Sequence, residues 1–188
     1  MIEIVPYNPN WPREFQEIGR SLRAQVGDLA LRIDHIGSTS VPGLAAKDKI
    51  DMQMTVAELS EAVRQRLLLA GYQQHLAKRD HPPAGTDLPA DQWEKLLFTE
   101  PVGQRLTNLH VRVAGRANQR YPLLFRDYLR ADPVAAGSYR LIKQALAQQH
   151  PHDQEAYYDV KDPVTDLIMQ AAERWAVMEG WVLGESDC

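Results

Sequence analysis

Along the first third of the chain the hydrophobic positions change period, and each change predicts an element. Phe15, Ile18, Leu22 and Val26 recur at i, i+3, i+7 and i+11, the buried face of a helix that Asn10 would cap, with Pro12 in its first turn. A short strand is expected at about 31–36. From Lys49 the period drops to two: Ile50, Met52, Met54 and Val56 point one way, Asp51, Gln53 and Thr55 the other, onto an exposed face. Leu59, Val63 and Leu67 return to helical spacing, and Gly71 is placed to stop that helix. Residues 72–77 read as a further strand. Pro82, Pro83, Gly85 and Pro89 make 80–92 a long exposed loop.

Lys95 to Thr99 and Leu106 to Val113 form an expected strand pair across a turn near Gly103. In the second, Leu109, Val111 and Val113 alternate with Asn108, His110 and Arg112, which gathers three polar side chains on one face. Beyond Tyr121 the chain reads as helical. Leu124, Tyr128 and Leu129 sit in one helix; Asp132 caps a second with Pro133 at its first position, packed through Val134, Gly137, Leu141 and Ala145. His150-Pro151 breaks the chain, and a last helix near 160–178 buries Val164, Leu167, Ile168, Ala171 and Trp175. The pattern predicts an α/β (α+β) fold over 1–188 as one domain: mixed α/β to about 115, helical from about 118.

Composition narrows the function classes. The 44% hydrophobic and 24% charged fractions are those of a globular protein, and the net charge of −4 offers no clear nucleic-acid surface. No apolar run approaches the roughly 20 residues that span a bilayer, so no membrane partner is expected. The opening Met1-Ile2-Glu3-Ile4-Val5-Pro6 lacks the charged and apolar regions of a signal peptide, and Cys188 stands alone, without an intrachain disulfide partner. Together these lead to the expectation of a cytoplasmic protein.

Chemistry concentrates at His35-Ile36-Gly37-Ser38-Thr39-Ser40-Val41-Pro42-Gly43. Gly37 lets the backbone turn tightly and approach a ligand, and successive N–H groups in such a turn form a nest for phosphate oxygens. Ser38, Thr39 and Ser40 add hydroxyls, while Lys47 and Lys49 flank the loop as point charges. Asp51, on the next strand, is placed to hold a metal ion against those phosphates. The plainer alternatives are a structural turn, a solvated Asp51, and satisfied, half-buried His35 and His110. Tyr157 and Tyr158 read as packing residues.

The run from Ile33 to Lys47, followed by Lys49-Ile50-Asp51-Met52, Leu109-His110-Val111, Leu124 to Arg130, Tyr139, Lys143, Glu155-Ala156-Tyr157 and Lys161, resembles the GrpB family. The resemblance covers nearly the whole chain. It implies a nucleotidyltransferase-like fold, a mixed sheet flanked by helices, and kinship with a domain fused to dephospho-coenzyme A kinase in some bacteria. It further implies a nucleotide or other phosphate-bearing small molecule at the Gly-Ser loop, bound by His35, Gly37, Ser38, Thr39, Ser40, Lys47, His110, Arg126 and Lys161. Asp51 would be the catalytic residue, and Asp51 with Gln53 would hold magnesium. Here the chain departs from the pattern, since nucleotidyltransferases carry two carboxylates one residue apart on this strand and Gln53 occupies the second position. The strand expected to bring a third offers His110. Two readings follow: a magnesium-dependent nucleotidyltransferase, or a non-catalytic ligand-sensing or protein-interaction module with a degenerate site.

Overall fold

The period-two segment folds as the strand around which the rest is arranged. In the computed structural model, which describes residues 1–188, strands β1 (Arg32–Ile36), β2 (Ile50–Val56), β3 (Gln73–His75), β4 (Leu96–Thr99) and β5 (Thr107–Val113) form one sheet in the order β1-β2-β5-β4-β3. Only β2 and β5 run parallel, in a register that sets Asp51 against Asn108 and Gln53 against His110. The polar faces of these two strands therefore coincide.

Helices α1 (Trp11–Val26) and α2 (Glu61–Leu69) cover the apolar face. Trp11, Phe15, Leu22 and Val26 pack there on Met52, Met54, Leu109 and Val111, with Ile18 half-buried against them. The expected stop of α2 is realised as a Schellman turn: Gly71, at φ +87°, donates to the Leu68 carbonyl at 3.0 Å and Tyr72 to that of Leu67 at 3.1 Å. The start of α1 differs from expectation, because the Asn10 side chain caps nothing; its own backbone N–H is taken by Asn8 Oδ1 at 3.0 Å.

The other face of β2 is not exposed. Helices α3 (Ala117–Ala131), α4 (Pro133–Gln149) and α5 (Gln154–Glu179) close over it, and Gln53 and Thr55 are almost fully buried. Leu124, Tyr128, Tyr139, Met169 and Ala172 join Val41 and Leu44, from the loop after β1, in a second core. Helix α4 packs through Tyr139, Lys143, Leu146 and Ala147, spaced i, i+4, i+7 and i+8, while Val134, Leu141 and Ala145 face outward. A stripe containing a lysine is invisible to a search for apolar residues. Helix α5 starts at Gln154, earlier than expected, because Asp153 caps it by accepting from Ala156 N at 3.0 Å; its Leu167 is exposed. That early start brings Tyr157 and Tyr158 onto the helix that carries Lys161.

Two segments pin the edges. After Gly180 the chain runs back along β1, where Cys188 N donates to Ile33 O at 3.1 Å and Ser186 Oγ accepts from Ile33 N at 2.9 Å, covering an open strand edge. The loop over 80–92 is not exposed throughout, since Asp80 is drawn into the polar face of β5.

Candidate functional site

A cleft of about 750 Å³ opens between the polar face of the sheet and helices α3–α5. Its floor begins at the end of β1. Gly37 has φ +70° and ψ −172°, a conformation essentially reserved for glycine, and the Asp51 side chain lies directly against its Cα. The chain then makes a single 3-10 turn, Ser38–Ser40, held by Ser40 Oγ donating to Gly37 O at 2.6 Å. Asp51 accepts from Asn108 Nδ2 at 2.8 Å, across the β2–β5 register. Burial raises its pKa above the ordinary carboxylate value, against the opposing pull of Asn108 and of Lys49, Lys161 and Lys47.

Three ammonium groups from three separate elements meet over this floor. Lys143 of α4 donates to Ser38 Oγ at 2.7 Å and to Ala45 O at 2.6 Å. Lys47, from the loop, donates to Tyr158 Oη at 3.2 Å and stands 4.4 Å above the Tyr157 ring. Lys161 of α5 pairs with Asp162 at 3.2 Å. Burial, reinforced by the positive field of Lys161 and Lys47, pulls Lys143 down to about 7, although Asp51 opposes the shift. A charged lysine held this way is short of a counter-ion.

Further along β5 lies a denser network. Arg112 grips Asp80 with two nitrogens, Nε to Oδ2 at 2.8 Å and Nη2 to Oδ1 at 2.9 Å, and gives Nη1 to Gln53 Oε1 at 2.7 Å. Lys95 donates to the same Asp80 at 2.5 Å. Burial alone would raise Asp80, but Arg112 and Lys95 overcome it and hold the carboxyl well below its usual range. His110 Nδ1 lies 3.2 Å from Lys95 Nζ and 3.1 Å from Arg112 Nη2. Burial and those two cations push the imidazole well below 6.5, so it is neutral, accepts at Nδ1 and keeps its proton on Nε2.

Of the residues singled out from the sequence, Gly37, Ser38, Thr39, Lys47, Lys49, Asp51, His110 and Lys161 line the cleft, and so do Tyr157 and Tyr158, expected only to pack. Four do not. His35 points to the opposite face, stacked on Phe15 at 4.7 Å and bonded to Thr39 Oγ1 at 3.0 Å, and burial lowers its pKa to about 3. Ser40 is buried, its hydroxyl spent on the turn and its carbonyl on Arg130. Arg126 is also buried, donating to His35 O at 2.9 Å and to Asp187 Oδ2 at 2.6 Å, so it fastens β1 to the terminal segment and lies outside the cleft lining. Gln53 has its oxygen on Arg112 and its nitrogen on Gln119 O at 2.9 Å. Sequence reasoning left Lys143, Asn108, Asp80, Lys95 and Arg112 out of the site. Alternation places Asn108 and Arg112 on the correct face and Lys143 belongs to the family resemblance, but nothing local marks Asp80 and Lys95 as partners.

The donor set does not fit a magnesium ion. One carboxylate faces the loop, already bonded through one oxygen to Asn108, and the amide oxygen of Gln53 is taken. No three His, Cys, Asp or Glu side chains gather as a metal group anywhere in the chain. The surrounding charges are ammoniums, the reverse of what a hard dication prefers.

Comparison with known proteins agrees with this architecture. A family model described as GrpB protein matches residues 1–171. A protein of Mycolicibacterium paratuberculosis named dephospho-CoA kinase is 37% identical over 196 residues, covering 96% of this chain and 48% of that one, so the chain spans about half the length of that relative. The crystal structure of the conserved protein GrpB from Enterococcus faecalis superimposes with a TM-score of 0.74 at 27% identity, covering 92% of this chain and 99% of that chain. The poly(U) polymerase Cid1, in a mutant form bound to MgATP, matches with a TM-score of 0.52 at 12% identity over 80% of this chain and 46% of its own. The fold is nucleotidyltransferase-like.

Proposed function

We propose that this chain, which belongs to the GrpB family, binds a nucleotide or other phosphate-bearing small molecule in the cleft, with the phosphate group against the Gly37–Ser38 loop. The observation that carries the reading is the convergence of Lys47, Lys143 and Lys161 on Ser38 and Asp51 in a protein whose overall charge is −4. Three ammoniums set close together over backbone N–H groups repel one another unless an anion joins them. Tyr121, Phe125 and Tyr158 line the same cleft and supply ring surface for a base or another flat group.

Binding without turnover is the favoured form of this proposal. A nucleotidyl transfer needs charge neutralisation at the attacked phosphorus and an activated acceptor, and Asp51 is the one carboxylate that faces the loop. Commitment of Gln53 to Arg112 and Gln119 favours a ligand-sensing module over the transferase. No helix is long and apolar enough to cross a membrane. A cytoplasmic location is part of the proposal, because nucleotides and other phosphate metabolites are plentiful there. The test is a thermal-shift screen of the purified chain against nucleotides and coenzyme A precursors, the second class suggested by the name of the mycobacterial relative. A ligand should raise the melting temperature of the wild type and not of Lys161→Met. Equal shifts in both proteins would remove the lysine cluster from the site.

A further inference from the structure

Resting on the phosphate reading of this cleft, we infer that the ligand is taken as a free diphosphate-type polyanion, with no divalent cation, and that Lys47, Lys143 and Lys161 supply the positive charge. The inference starts from the oxygens. Asp51 Oδ1 accepts from Asn108, Gln53 Oε1 from Arg112, and both Asp80 oxygens are covered by Arg112, Lys95 and Asn118. A second metal ligand beside Asp51 would stand two residues along β2 on the same face. That place is filled by Gln53, with a guanidinium 2.7 Å from its oxygen. A dication there would meet Arg112 on one side and the lysines on the other.

The cations, by contrast, are arranged for an anion. Lys143 Nζ is anchored through Ser38 Oγ and Ala45 O, two neutral acceptors, so its charge is oriented but not neutralised. Lys47 rests on the Tyr157 and Tyr158 rings, which hold it without cancelling its charge. Against them stands Asp51, with Asp162 beside Lys161. A phosphate group bound here accepts hydrogen bonds from ammoniums and from the Ser38 and Thr39 N–H groups, since the Ser40 N–H is spent on Gly37 O. A magnesium chelate of the same ligand arrives with much of that charge already spent.

Isothermal titration of inorganic pyrophosphate into the full chain, in EDTA and then in excess magnesium, separates the possibilities. Binding is expected in EDTA and should weaken as magnesium is added. Lys143→Met and Lys161→Met should each weaken the EDTA-arm binding by about tenfold or more, the worth of a charge-assisted hydrogen bond. Asp51→Asn should tighten it, because a negative charge that opposes the anion is removed. Circular dichroism checks that each variant is folded. Binding that needs magnesium, or that disappears in Asp51→Asn, overturns this inference and leaves the phosphate reading standing. No binding in either arm overturns both.

Discussion

Gly37 is the residue on which loop and strand depend most directly, and replacing it with alanine should cost stability before it touches any ligand. Two penalties can be worked from the structure. The backbone, at φ +70° and ψ −172°, lies in a region that side-chain-bearing residues essentially never occupy, and holding alanine there costs about 1–3 kcal/mol. The new Cβ would also stand 2.5 Å from Asp51 Oδ2, 2.9 Å from its Cβ and 3.0 Å from its Cγ. The carboxylate can rotate away, but the Asp51 Cβ is fixed to β2, so relief requires the loop or the strand to move. Overpacking of this kind costs about 1–3 kcal/mol. The sum, about 2–6 kcal/mol, is a large part of the roughly 5–15 kcal/mol that stabilises a domain.

Urea denaturation of Gly37→Ala measures the total, and a double-mutant cycle with Asp51→Gly separates the parts. Removing the Asp51 side chain abolishes the overlap and leaves the backbone penalty. The double variant should therefore be more stable than the sum of the two single effects by about 1–3 kcal/mol. Additivity within about 0.5 kcal/mol would refute the packing of Asp51 on Gly37. A near-neutral Gly37→Ala would refute the conformational argument as well.

Three further outcomes follow from the polar side of the sheet. Lys143 sits at about 7 in the folded chain against 10.5 as its ordinary value, so the unfolded chain binds its proton first as pH falls; stability should drop between about 10.5 and 7, and Lys143→Met should flatten that slope in urea titrations across the window. An unchanged slope would assign the titration to another group. Asp80→Asn strands Arg112 and Lys95 without their shared carboxylate and should cost about 3–5 kcal/mol by chemical denaturation, whereas a loss under about 1 kcal/mol would mean that solvent already screens the trio. Gln53→Asp should form an ion pair with Arg112 and leave Gln119 O unpaired, so magnesium affinity measured by calorimetry should not rise; a tenfold gain would restore the paired-carboxylate reading.

The sequence made the apolar half of this architecture readable because one-sided patterns have one solution. Ile50, Met52, Met54 and Val56 must be buried together, and the Phe15–Val26 stripe and the Gly71 stop follow by the same logic. The polar half has two solutions. An alternation such as Asp51, Gln53, Thr55 suits a solvated face and a buried hydrogen-bonded face equally well, because burial is permitted once every polar group has a partner. Those partners come from far away: Gln119 is 66 residues from Gln53, Asp80 is 32 from Arg112, and Lys143 is 105 from Ser38. No local spacing encodes such pairs. The same distance explains why Arg126 and His35 read as ligand groups from the sequence yet lie outside the cleft, since a buried arginine on a carbonyl and a histidine stacked on Phe15 are composed of the residue types that also bind phosphate. What distinguishes the lysines of the cleft is that their nearest oxygens are mostly neutral, a hydroxyl, a carbonyl and a phenol, so charge is left over. In this fold the surplus of positive charge, rather than the identity of any one residue, is the feature that points to a ligand.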